Sequence, residues 1–137
     1  MLSESALISG CSASAKANRR PPPKKNDAPA LKKTLQFLVD RHPSLRTTYG
    51  SDDGKPNQRV HDEGDFVFAE HDATAWVQEE LDRRLVAEAH KPLDLATGPV
   101  LHASLYRREG QPSVLLLVLH HIACDFWSLQ VLLAELR

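Results

Sequence analysis

The run Val114-Leu115-Leu116-Leu117-Val118-Leu119 constrains this chain most, because six consecutive apolar residues leave no polar side to turn toward water. A strand with one solvated face alternates; a continuous apolar run reads as a central strand buried on both faces. Its end is therefore held rigidly. Downstream, Leu129, Leu132, Leu133 and Leu136 recur at i, i+3, i+4 and i+7, the stripe of a helix packed along one side. The segment between them, His120-His121-Ile122-Ala123-Cys124-Asp125-Phe126-Trp127-Ser128, lies at a strand-to-helix junction and carries the polar groups most suited to chemistry.

Adjacent residues of extended chain project to opposite sides, so persistence of the strand would separate the two histidines. One points into the fold and the other toward a substrate, where a neutral imidazole serves as general base or hydrogen-bond acceptor. Asp125 either orients a histidine or has a structural duty; Asp125 or Ser128 equally suits a helix N-cap. Cys124 is read as a small apolar filler more readily than as a thiol nucleophile, which needs exposure and a lowered pKa. Seven histidines raise the question of a metal. His42, His61, His71, His90 and His102 show no i, i+4 helical pair and no cysteine-rich spacing, so no metal site is expected. Gly50-Ser51-Asp52-Asp53-Gly54-Lys55-Pro56 misses the phosphate-loop spacing by one residue and has proline where Ser or Thr is needed, so it reads as a hairpin turn.

Around the junction the chain alternates irregularly between helix and strand signals, an α+β pattern without repeats. Asp27 as N-cap, Pro29 in the first turn and Leu31, Leu35 and Leu38 predict a helix ending before Pro43. A strand follows at about 45–50, then short extended pieces near 57–61 and 66–70. Asp72 or Thr74 is expected to cap a second helix with Val77, Leu81, Leu85 and Ala89 on its face. Val100 to Tyr106 forms a strand, and Arg108 to Pro112 turns the chain into the apolar run.

The first 27 residues differ. They contain Pro21-Pro22-Pro23 and few large apolar groups after Ile8, and Lys16, Arg19, Arg20, Lys24 and Lys25 face only Glu4 and Asp27. Such a segment buries too little to offset ordering, which predicts a disordered basic Ser/Ala/Pro-rich tail over 1–27. Over the whole chain 17 basic and 18 acidic residues nearly cancel, so neither nucleic acid nor an anionic membrane is called for. No apolar run is long enough to span a bilayer and no signal peptide is persuasive, and the two cysteines do not suggest a disulfide framework, so the expected location is cytoplasmic.

The His120-His121-x3-Asp125 pattern, ending a hydrophobic strand and followed by Trp127-Ser128 and a leucine-rich helix, resembles the condensation-domain family of nonribosomal peptide synthetases. The same pattern marks a wider set of CoA- or carrier-dependent acyltransferases with a chloramphenicol-acetyltransferase-like fold. Arg41-His42-Pro43-Ser44-Leu45-Arg46-Thr47-Thr48-Tyr49 resembles the family's early helix-to-strand segment. Pro92-Leu93-Asp94-Leu95 with Gly98-Pro99-Val100-Leu101 resembles the loop entering the hairpin before the motif. The resemblance covers about residues 30–137 and implies an incomplete lobe of that fold, a mixed sheet with flanking helices, so that 28–137 is a partial condensation domain.

By resemblance, His121 contacts the attacking amine during amide formation between two carrier-bound thioesters, as base or as positioning group. His120 is then largely structural, Trp127 part of the motif, and Asp125 turned away from the channel and paired with Arg46. The resemblance further implies that no cofactor is bound directly, and that the substrates are phosphopantetheine-linked and delivered by peptidyl or acyl carrier proteins or domains, as in a larger multidomain synthetase. Phe126 stands where the family usually has glycine, which crowds the loop and alters the channel. The chain stops inside the helix after the motif and its first 27 residues do not resemble the family's first helix and strand. The expectation is a fragment whose chemistry belongs to the complete two-lobed domain, inactive and marginal or unfolded alone. A stand-alone acyltransferase acting as an oligomer, and a non-catalytic truncated relic, are the alternatives.

Overall fold

A computed structural model describes residues 28–136. The expected tail over 1–27, with Cys11 and the Asp27 cap, lies outside the described residues.

Helix α1 spans Ala28–Arg41 and buries Leu35, Leu38 and Val39, with Leu31 partly covered. It ends because a residue before proline is pushed out of the helical region: His42 is extended, at φ −105° and ψ 104°. Pro43–Arg46 then forms one 3₁₀ turn, which delays the first strand to β1, Thr47–Asp52. β1 pairs antiparallel with β2, Lys55–Val60, in the register Thr47↔Val60 to Asp52↔Lys55. Between them Asp53 and Gly54 both have positive φ, 50° and 77°, the conformation a two-residue hairpin turn demands. The segment at 50–56 thus holds a hairpin, with its turn at Asp53 and Gly54.

The chain continues through β3 (Val67–Asp72), α2 (Gln78–Ala89), β4 (Leu101–Arg107), β5 (Val114–Leu119) and α3 (Phe126–Glu135). Asp72 does not cap α2. Its Oδ1 accepts from the amide of Thr74 at 3.0 Å in a local turn, and the helix starts farther along with Val77 at the N-cap and no side-chain cap. The short side chain found an amide two residues ahead before any helix began.

β3, β4 and β5 form a mixed sheet in that order, β3 parallel to β4 and β4 antiparallel to β5. Thus β4, and not β5, is the middle strand of the described sheet. Burial of β5 on both faces nevertheless holds, because its side chains divide between two cores. Val114, Leu116 and Val118 pack with Tyr106, Leu81, Leu85 and Ala73 on the α2 side. Leu117 and Leu119 pack with Leu101, Ala103, Leu35, Leu38, Leu129 and Leu132 under α1 and α3. An apolar run signals two covered faces, whereas a place in the sheet depends on pairing partners that the run does not encode.

Candidate active site at the histidine turn

β5 delivers the chain to the site and stops at Leu119. The two histidines consequently do not diverge as strand residues would. The amide of Ala123 donates to the carbonyl of His120 at 3.0 Å, closing a tight turn, and the His120 and His121 rings stack with centroids 4.5 Å apart and planes at 26°. The expectation of opposite sides fails because the period-2 geometry ends one residue too early.

Within the turn the two rings are unequal. His120 is partly buried, and its Nδ1 accepts from the amide of Ile122 at 3.2 Å, which places the proton of the neutral ring on Nε2. Burial lowers its pKa, and the neighbouring His121 lowers it further. A neutral, tethered His120 forms one side of the stack. His121 is exposed, and among the described residues no hydrogen bond engages its ring nitrogens. It is the imidazole of the pair available to a ligand.

Asp125 is the N-cap of α3. One carboxylate oxygen accepts from both the amide and the hydroxyl of Ser128, each at 2.7 Å. These bonds hold its carboxyl below the ordinary carboxylate range. The pairing of Asp125 with Arg46 implied by the resemblance is not found. Arg46 donates through Nε to Val39 O at 3.2 Å, through Nη1 to the carbonyl of His61, and more weakly to Asp62 O at 3.3 Å. Its guanidinium is therefore spent on main-chain carbonyls at the end of α1 and after β2, while the capping bonds occupy the aspartate. Gly64 makes this possible: a Cβ there would collide with Arg46 Cγ and lie 2.8 Å from Val39 Cγ1.

Cys124 fills space. It is 7% exposed, its thiol donates to the carbonyl of Asp125 at 3.5 Å, and burial pushes its pKa up to about 11, which disfavours the thiolate a nucleophile needs. Phe126 and Trp127, at the start of α3, are 62% and 76% exposed, and meet edge to face with ring centroids 6.3 Å apart. Ile122, the chain neighbour of His121, is also exposed.

Two contacts escaped sequence reasoning. The Tyr49 hydroxyl on β1 approaches the carbonyl of Ile122 at 3.5 Å, bringing the hairpin to the histidine turn, while its amide donates to Leu95 O at 2.7 Å. At the far end of α3, Glu135 meets His42 Nε2 at 2.6 Å and Arg41 Nε at 3.3 Å. No short-range signal links positions so far apart in the chain. Among the described residues, no three His, Cys, Asp or Glu side chains are grouped to hold a metal ion, and no helix is long and apolar enough to cross a membrane.

A mixed sheet flanked by helices, with a histidine turn at the end of β5, defines part of a chloramphenicol-acetyltransferase-like lobe of the kind found in condensation domains. The Condensation domain profile matches residues 23–137, and the chain belongs to that family. It is 37% identical over 114 residues to a linear gramicidin synthase protein of Brevibacillus parabrevis, an alignment covering 80% of this chain and 2% of that protein. Among solved structures, a four-domain nonribosomal peptide synthetase bound to AMP and glycine superimposes with TM-score 0.74 at 22% identity, covering 82% of this chain and 9% of the other. The epimerization domain from the third module of tyrocidine synthetase B gives TM-score 0.70 at 26% identity, covering 78% and 24%. The chain thus corresponds to a fragment of a synthetase condensation domain and spans only a small part of these proteins.

Proposed function

We propose that the chain supplies the amine-facing wall of a condensation site, in which an amide forms between an acyl or peptidyl thioester and an aminoacyl thioester, each carried on the phosphopantetheine arm of a carrier protein or domain. The observation that carries this reading is the exposed His121 ring with uncommitted nitrogens, backed by the tethered, neutral ring of His120. In this reading His121 Nε2 or Nδ1 accepts a hydrogen bond from the incoming amine as it attacks the thioester carbonyl. The amine nitrogen forms the new C–N bond, the C–S bond breaks, and the thiol of the donor arm leaves with a proton. His120 keeps its partner oriented, Asp125 fixes the turn by capping α3, and Arg46 holds the β1–β2 hairpin in place.

The test is product formation by the complete polypeptide to which this segment belongs, supplied with two loaded carrier domains. His121→Ala should reduce peptide formation at least about 100-fold, the scale of a lost acid–base or positioning group, while both carriers stay loaded. Unchanged turnover in a folded variant would overturn the assignment. The likeness to an epimerization domain favours a second reading, in which the same imidazole removes the α-proton of a carrier-bound aminoacyl group. Exchange of α-deuterium without peptide formation would select that reading.

A further inference from the structure

Helix α3 follows directly on the histidine turn, so whatever fixes the far end of α3 also aims the turn. The apolar contacts of Leu129 and Leu132 press the helix onto the core without specifying its angle, since hydrophobic attraction is non-directional. Beside them lies a solvent-open cleft of about 200 Å³ between His42 and Ser44 on one side and Ala123, Cys124, Ser128, Val131 and Leu132 on the other. On this side α3 borders open space, and packed side chains do not fix its angle.

The directional contacts lie at its last turn. Glu135 is an anion at a helix C-terminus, the wrong sign for its own helix dipole, and α3 has no basic residue in that turn. Its partners, Arg41 and His42, stand at and just beyond the C-terminal end of α1, where positive charge is favoured. Two helix C-termini thus converge, and among the described residues Glu135 alone bridges them with directional side-chain contacts, an ion pair to Arg41 and a hydrogen bond to His42.

We propose that Glu135 is a positioning residue for the histidine turn: clamped between Arg41 and His42, it sets the tilt of α3 and so the placement of the His120–His121 stack. The assignment goes beyond the proposed chemistry, and its test needs no turnover, so its failure and that of the condensation reading are distinguishable.

The experiment is heteronuclear NMR of the histidine rings in the full chain with labelled histidine. Glu135→Gln should keep the circular dichroism of the parent while displacing the ring signals of both His120 and His121. Glu80→Gln, which removes an acid paired with Arg83 and Arg84 on α2, should leave both rings unchanged. Arg41→Gln breaks one of the two clamp contacts and should give a smaller displacement in the same direction, which keeps the test open if Glu135→Gln does not fold. A folded Glu135→Gln or Arg41→Gln chain whose His120 and His121 signals superimpose on the parent would overturn the assignment.

Discussion

At the scale of single residues, hydrogen bonding decides what the polar groups of the motif do. Asp125 has its carboxyl held below the ordinary value of 3.8 by Ser128. A depressed folded pKa means that the capping contribution is present above the unfolded value and is lost as pH falls through the folded one. Asp125→Ala should therefore melt below the parent at pH 7, and the two melting curves should converge at acid pH once the parent's carboxylate is protonated. Thermal unfolding followed from pH 7 to 2 checks this; a gap that persists undiminished to the lowest pH would contradict it. Cys124 offers the converse case. With its thiol raised to about 11 and its side chain buried, it should label far more slowly with a neutral thiol reagent in the folded chain than in denaturant, as read by peptide mass at the Cys124 peptide.

At the scale of elements, Arg46 and Gly64 form one joint. The guanidinium reaches carbonyls from α1 and from the segment after β2 only because Gly64 leaves its path clear. Gly64→Ala should destabilise the chain by roughly 1–3 kcal/mol, the usual cost of forcing a side chain into filled space. Gly110→Ala meets nothing within 4 Å, yet its φ of +69° strains any Cβ, so the pair separates steric from conformational cost. Chemical unfolding also decides how Arg46 relates to Asp125. Groups that share no contact have additive effects, so in urea melts Arg46→Ala and Asp125→Ala should sum in the double variant. A coupling well outside error would restore the direct pair that the resemblance implied.

For the whole molecule, the sequence was most legible where burial alone decides. The β5 run and the Leu129 to Leu136 stripe announced the strand, the helix and the turn between them, while the His120-His121-x3-Asp125 pattern in that turn, with Arg41 to Tyr49, Pro92 to Leu95 and Gly98 to Leu101, disclosed the family. What remained hidden is what depends on partners distant in the chain: the middle place of β4 in the sheet, the clamp at Glu135, and the carbonyls that claim Arg46. The divergence of His120 and His121 failed for a local reason, since no residue marks Leu119 as the last to keep strand period. The same division predicts how the fold opens. β4 and β5 sit between two cores, whereas β1 and β2 form a separate two-stranded sheet in which all six residues of β2 are exposed. A ribbon with one solvated strand has few apolar contacts to lose when it detaches. Amide hydrogen exchange should therefore proceed much faster at the Thr47–Val60 ladder than at the Leu101–Leu119 ladder, and equal protection of the two would mean that the hairpin is covered by something the contacts of residues 28–136 do not supply.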